Sequence, residues 1–234
     1  IYRYNSIYIM YSFIYNKQKI DFHYVNGDHI SNSWKENTFY EILLLERIKS
    51  LNLNGLYVDV GSHHGNHSIF FDKFCNSEKV ISIEGNPFNF DYLKMNINKN
   101  NCNNILYNVI VSDKKGENLT MKYNHLNTGM SSVINTVETT CNKNNSLIMN
   151  TTDTLDNLLE NEENINLIKL DIENYEYFAL LGAQKIIDKF HPVIVIELHE
   201  TNPYYNDIKK FLSTNNYKTN GISYAASPTF IYTH

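Results

Sequence analysis

The 234-residue sequence predicts an α/β protein: a mostly parallel, doubly wound sheet with helices on both faces. Three observations carry that prediction. From Leu56 onward, short β-branched runs alternate with amphipathic segments, the runs being "LYVDV", "KVISIE", "ILYNVIV", "NLIKLD" and "VIVIEL". Most of these runs are nearly continuous in apolar residues, as strands covered on both faces must be. Helix boundary signals then fall between several of the runs, where crossover helices belong.

The elements follow in order. The opening "IYRYNSIYIMYSFIYNK" alternates aromatic and polar residues and reads as strands or a hairpin. Arg3, Asn5 and Ser6 interrupt it short of the ~20 apolar residues a membrane span needs, and it lacks the basic start and cleavage site of a signal peptide. "TFYEILLLERIKSL" has helical apolar spacing and is expected to pack on the sheet as scaffold or lid. Residues 1–54 are thus expected to be an N-terminal extension of strands and a helix, and 55–234 the main domain. Asn86-Pro87 reads as a cap and first-turn proline for the helix "FNFDYLKMNINKN". The polar stretch "ETTCNKNNS" from Glu138 to Ser146 reads as a loop. Thr152 and Asp153 are expected to open a helix around "TLDNLL", and His191-Pro192 to close the one containing "FALLGAQKIIDKF". The tail "YKTNGISYAASPTFIYTH" reads as two strands of an antiparallel hairpin.

A formal net charge of -5 gives no electrostatic reason to expect nucleic acid as a partner. Cys75, Cys102 and Cys141 are far apart, so neither a disulfide framework nor a zinc knuckle is indicated. The match Asn66-His67-Ser68 lies inside a tight turn where a glycan would obstruct, which favours a non-glycosylated, cytoplasmic protein.

The chemistry is expected at "YVDVGSHHGNHS", Tyr57 to Ser68, where the first strand meets its helix. A dinucleotide turn needs G-x-G-x-x-G and a phosphate loop needs G-x-x-x-x-G-K-[ST]. Here there is G-x-x-x-G and no lysine, which disfavours phosphate. His63, His64 and His67 are close in sequence, but adjacent histidines splay apart at a turn and no neighbouring residue completes a ligand set, so they read as loop histidines. A small zwitterionic nucleoside such as S-adenosylmethionine fits better. Asp59 at the strand end is placed to meet an ammonium. Glu84 ends the next strand, where a carboxylate can accept from both ribose hydroxyls.

With these residues in view, the sequence resembles the FkbM family of S-adenosylmethionine-dependent methyltransferases from roughly Trp34 to Glu200. The family's D-x-G-A-N-x-G stands here as "DVGSHHG" and its E-P-x-P as "EGNP". Its long later block stands as "LIKLDIENYEYFALLGAQKIIDKFHPVIVIELHE", with "VIVSDKKG" and "TTDTLDNLL" in the expected order. The resemblance implies a class I, Rossmann-like sheet of seven strands whose last strand is antiparallel, with S-adenosyl-L-methionine as cofactor. Asp59, Gly61 and Gly65 would lie along the methionine portion, with Ser62 in the same turn. Glu84 would lie at the ribose with Asn86 beside it, Ser112 and Asp113 near adenine, and Asp171 at the reaction centre. Three positions depart from the family pattern: Ser62-His63 replaces Ala-Asn, Gly85 replaces a proline, and Asn174 replaces a glycine at a turn where Asn tolerates a left-handed backbone.

The resemblance points to transfer onto oxygen, the acceptor being a hydroxyl of a sugar, glycan or other small alcohol. Candidate bases gather at two strand ends: Asp171, Glu173 and Glu176 after "NLIKL", and Glu197, His199 and Glu200 after "VIVI". Asp171, Glu197 and His199 form the expected catalytic set, with His199 the side chain of most suitable ordinary pKa. Glu176 reads equally as a helix cap. Those acids with His199 have the chemistry for a divalent ion, though no spacing calls for one. "TGMSSV", Thr128 to Val133, reads either as a border of the acceptor site or as a plain loop. Two other functions stay open at this point. An RNA cap-ribose methyltransferase is disfavoured by the acidic balance and the missing lysine after "VIVIEL"; the other is a binding module without catalysis.

Overall fold

The computed structural model describes residues 9–25, 28–124, 127–134 and 145–234. Most of "ETTCNKNNS", including Cys141, lies outside the described residues.

The chain opens with β1 (Ile9–Tyr15) and β2 (Gln18–Tyr24), an antiparallel hairpin with Tyr15 opposite Gln18. Its two-residue turn, Asn16-Lys17, has positive φ at both positions, the conformation whose twist matches a tight hairpin. Two short helices follow, α1 (Ile30–Lys35) and α2 (Ile42–Ser50). α2 starts only at Ile42 because Glu41 takes a left-handed φ of 55°.

The main sheet is built from β3 (Gly55–Val60), α3 (Asn66–Phe74), β4 (Ser77–Ile83), α4 (Pro87–Lys99) and β5 (Ile105–Tyr107). It continues, after an insertion, with α5 (Leu155–Leu158), β10 (Ile165–Leu170), α6 (Glu176–Leu181), α7 (Gln184–Phe190) and β11 (Val193–Glu197), then α8 (Tyr205–Thr214), β12 (Lys218–Thr219) and β13 (Thr229–Thr233). Strand order is β12-β13-β11-β10-β3-β4-β5. β13 runs antiparallel to β11 and β12 while the pairs from β11 to β5 are parallel, so seven strands with an antiparallel last strand are present as expected. Every residue of β3 is buried, because helices or the hairpin cover both of its faces.

Two cores result. Val58, Val60, Ile81, Ile168, Ile194 and Ile196 point to one face, where α5 to α8 pack. On the other face Tyr57, Val80, Leu167 and Val195 meet Phe70, Phe71 and Phe74 of α3 together with Phe13, Phe22, Trp34 and Phe39 from the N-terminal segment. That face is held by rings: Phe22 and Trp34 stack at 4.0 Å and Phe39 meets Phe70 edge-on at 5.2 Å. Asn66 closes the join. Its Oδ1 accepts from Trp34 Nε1 and Tyr40 N, and its Nδ2 donates to the Tyr40 carbonyl. No Asn66 amide hydrogen is left at the surface for a glycan, since the residue is buried.

Three details differ from expectation. "ILYNVIV" is two strands: Asn108 turns the chain by donating to the Glu84 carbonyl, and β6 (Ile110–Val111) leaves the main sheet for a second one. That second sheet, of order β6-β9-β7-β8, adds β7 (Asn118–Asn124), β8 (Ser132–Ile134) and β9 (Asn145–Asp153). Thr152 and Asp153 end β9 rather than opening a helix. Thr154 is the cap, its hydroxyl accepting from Asn157 N. "FALLGAQKIIDKF" is split into α6 and α7 at Gly182, where a Cβ would stand 2.0 Å from the Ser112 carbonyl, so the helix breaks to let the two backbones touch. Among the described residues, no helix is long and apolar enough to cross a membrane.

Candidate functional site

A cavity of about 640 Å³, counted out to its mouth, opens at the carboxyl ends of β3, β4 and β10, and the second sheet forms its far wall. Gly61, His63, Glu84, Asp171, Glu173 and Tyr175 line it, with Val109 to Val111 at one end and Gly129 and Ser131 of the "TGMSSV" stretch at the other. Clefts at this edge of an open sheet hold small ligands.

Glu84 follows β4 directly and is buried. Its Oε2 accepts from His63 N and its Oε1 from Asn86 N, both at 2.8 Å. Burial pushes the carboxyl up to about 7, against the pull of those two amides. Asn86 is thereby a holder of Glu84 as well as the cap of α4, where its Oδ1 accepts from Phe88 N. Gly61 lines the cavity, but its missing Cβ faces elsewhere: a side chain there would lie 1.8 Å from the Asp171 carbonyl oxygen.

Asp171 stands one residue beyond β10 with its side chain one-third exposed. Burial would raise its pKa, yet the Lys169 ammonium, 3.2 Å from Oδ2, and a hydrogen bond with Glu197 hold it below the usual range. Glu197 ends β11 and is driven the other way. Burial and the Asp171 charge push it up to about 9, so the pair carries a single negative charge at neutral pH. His199 Nε2 lies 3.3 Å from Glu197 Oε1 on the exposed side. The three expected catalytic residues therefore form one chain, but Asp171 alone of them lines the cavity. The strands stop at Leu170 and Glu197, so alternation does not set the orientation of Glu173 or His199. Glu173 faces the cavity and burial lifts it to about 7. Glu176 does not face it: its carboxylate accepts from Ile172 N and Asn202 Nδ2 and braces the turn before α6. Glu173 and Asn174 have φ of 52° and 72°, so Asn174 does take the left-handed backbone that replacing a glycine demands.

Other expected site residues lie behind the wall. Asp59 is fully buried, accepting from Ser68 Oγ and paired with Lys169 Nζ at 3.3 Å. The Ser62 hydroxyl turns back to the Asp59 carbonyl. Gly65, at φ 94°, begins α3 under Leu93. Ser112 Oγ donates to Asp113 Oδ1 and lies 3.5 Å from the Tyr175 hydroxyl, just past the Val111 end of the cavity.

Some functional-looking residues were not anticipated from sequence. Lys169, 2% exposed, joins Asp59 and Asp171 and donates to the Gly61 carbonyl. Its mark in the sequence is a lone cation inside the apolar run "NLIKL". Glu41, from the N-terminal segment, lies 3.1 Å from His67 Nε2 and accepts from Ser227 Oγ, and nothing in its own neighbourhood signals this. His63 and His64, expected to splay apart as loop histidines, instead stack at 3.8 Å beside the cavity with His64 fully buried; burial drives His63 down to about 3 and His64 well below its ordinary value, so both are neutral at pH 7.

The strand order with its antiparallel last strand, and a ligand cleft at the ends of the first, second and fourth parallel strands, define the class I methyltransferase fold. Two solved structures share that fold. An FkbM methyltransferase from Methylobacillus flagellatus superposes with a TM-score of 0.52 at 16% identity, over 78% of this chain and 44% of that one. The Pyrococcus abyssi tRNA (uracil-54, C5)-methyltransferase, in complex with S-adenosyl-L-homocysteine, superposes with a TM-score of 0.51 at 12% identity, over 95% and 43%. The chain thus spans less than half the length of either. No curated protein matches it. The methyltransferase FkbM domain matches residues 59–219, more than half of the chain, and the chain belongs to that family.

Proposed function

We propose that this chain is an S-adenosylmethionine-dependent O-methyltransferase whose acceptor is a hydroxyl of a sugar, glycan or other small alcohol. One observation carries the reading: a single cavity presents Glu84 at one side and Asp171, backed by Lys169 and Glu197, at another. The residues fit the cofactor. Glu84 keeps acceptor capacity beyond its two amide bonds, as a carboxylate meeting a ribose diol needs. The apolar Val109 to Val111 wall suits a nucleobase. When bound, S-adenosylmethionine supplies a methyl group made electrophilic by its sulfonium.

Asp171 then acts as the acceptor of the proton. A hydroxyl attacking that methyl group would become strongly acidic as it gave up its lone pair. A carboxylate held ionised by Lys169 suffices to take its proton late in the step. Glu197, protonated at neutral pH, donates to Asp171 and sets its direction, while His199 offers an exposed exit for the proton. Tyr175 and the Gly129–Ser131 edge border the acceptor. The net charge of -5 gives no attraction for the phosphates of RNA and leaves a neutral polyol the favoured acceptor. The free, half-buried thiols of Cys75 and Cys102 suit a reducing cytoplasm.

The test combines calorimetric titration of S-adenosylmethionine with a transfer assay using a methyl-labelled donor and a panel of sugars and small alcohols. Saturable binding and label on oxygen are expected. Binding without transfer to any acceptor, or label on nitrogen or carbon, overturns the proposal.

A further inference from the structure

Beside the cavity, three segments distant in sequence converge on buried donors. Asp28 lies between β2 and α1, His63 and His64 lie in the turn between β3 and α3, and Thr128 lies between β7 and β8. Asp28 and His64 are 1% and 0% exposed. One ligand atom from each of Asp28, His63 and His64 lies within 4.8 Å of the other two. Of the four imidazole nitrogens, three (His63 Nδ1 and both of His64) have no hydrogen-bond partner among the described residues. The Asn89 side chain is the neighbour placed to hydrogen-bond the His64 ring. Buried polar atoms are rarely left unpaired, and unfilled imidazole nitrogens on two adjacent rings beside a buried carboxylate point to a place for a ligand.

We propose that Asp28, His63 and His64 form a binding site for a divalent first-row transition metal, with one carboxylate and two imidazoles as its protein ligands. Two imidazoles and a carboxylate suit zinc, iron(II) or cobalt(II) rather than magnesium or calcium, which prefer all-oxygen sets. The carboxylate is already oriented: Asp28 Oδ2 accepts from Ser31 N and Oδ1 from Thr128 Oγ1, the outer-shell support that metal ligands commonly have. Thr128 also lies 2.7 Å from His63 Nε2. The two rings are stacked with 18° between their planes, so binding turns one of them about its side-chain torsions. Of the ring nitrogens only His63 Nε2 holds a hydrogen bond against that movement. His63 joins this site to the cavity, which it lines and where its backbone N–H donates to Glu84, but none of the three ligands is assigned to the cofactor or the proton, and the inference does not rest on methyl transfer.

The full chain, stripped with a chelator, is titrated with Zn²⁺ by calorimetry, expecting one saturable equivalent. Asp28→Asn and His64→Gln are each expected to weaken that binding by about tenfold or more. Co²⁺ added to the unmutated chain should give weak visible bands of nitrogen and oxygen ligation, without a thiolate charge-transfer band, and paramagnetically shifted proton resonances from two imidazoles. Absence of saturable Zn²⁺ binding, unchanged affinity in a folded Asp28→Asn chain, a thiolate band, or no shifted imidazole resonances would each overturn the proposal. The cobalt spectra decide it even if both variants fail to fold.

Discussion

Glu84 and Asp171 occupy equivalent places, each the first residue past a parallel strand and each next to β3, yet their charges are governed in opposite ways. Glu84 is buried with two backbone amides and is lifted to about 7. Asp171 has a lysine ammonium at 3.2 Å and is held below its ordinary value. Position on the sheet thus brings both acids to the cavity, while the neighbouring cation decides what each can do. A carboxylate steadied by two amides with lone pairs to spare suits hydrogen bonds from a diol, and one kept ionised by a cation suits proton capture.

The sharpest way to break this comparison is to remove the ionised member. Asp171→Asn preserves shape and removes the proton acceptor, and kcat should fall by about 10²- to 10⁴-fold. Cofactor affinity should be nearly unchanged. A larger loss in cofactor binding than in turnover would make Asp171 a binding residue and erase the contrast with Glu84.

Removing the cation attacks the cause. Lys169→Met leaves Asp59 and Asp171 without their ammonium, and loss of one partner of a buried ion pair costs about 3–5 kcal/mol. For a chain of this size that lowers Tm by roughly 6–20 °C. Adding Asp59→Asn should recover part of the loss, since the two groups are in contact and their effects do not add. Calorimetric melting of the two variants checks both statements; a neutral Lys169→Met would mean that the ammonium does not set the charge of Asp171.

How much of this was legible in the sequence follows from the range of the forces involved. Strand runs, the Asn86-Pro87 boundary, the antiparallel final strand and both strand-end acids are local or motif-borne, and the fold bears out the elements among them. Lys169 was visible as an oddity in an apolar run, but its two partners are set by the parallel register that places Lys169 opposite Asp59. The second sheet is held by pairing between β7 and β9, residues far apart in the chain, and β7 and β9 are half-exposed strands rich in Asn and Thr rather than long apolar runs. Asp59 was expected at the ligand, but a fully buried side chain at the strand end turned to Ser68 and Lys169 instead. The meeting of Asp28 with His63 and His64 depends on how the N-terminal segment folds back, which no spacing within the turn encodes.

On the Glu84 side, Glu84→Gln replaces one carboxylate oxygen by an amide nitrogen, so only one of His63 N and Asn86 N keeps its acceptor and the negative charge is gone. Hydrogen bonds to a charged group are worth about 1.5–3 kcal/mol, so cofactor affinity should fall by roughly tenfold to a hundredfold. In the unmutated chain affinity should rise with pH up to about 7 and then level, because the ribose hydroxyls donate best to the ionised form. The Glu84→Gln chain should show a flatter profile. Equal affinity in the two proteins, measured calorimetrically across that range, removes Glu84 from the ribose.

The smallest effect concerns stability without ligand. Glu84, Glu173 and Glu176 are lifted to about 7 and Glu197 to about 9, burial being the leading cause in each. The folded chain therefore keeps protons that the unfolded chain loses above its ordinary glutamate value, and unfolding releases them. Their stabilising share is complete below that value and is lost as pH rises through about 7, with the Glu197 part going by about 9. Asp171 and the buried imidazoles of His63 and His64 have the opposite sign, their shares present above their ordinary values and lost in acid, but they are outnumbered by the four lifted acids. Together they put the optimum on the mildly acidic side, and Tm should be higher near about pH 5.5 than near about pH 8.5. Saturating S-adenosylmethionine should narrow that gap, since the bound diol favours ionised Glu84 and offsets its burial. A melting temperature that climbs steadily from mild acid to mild base would show that these acids are not lifted, and that Glu84 and Asp171 are governed alike.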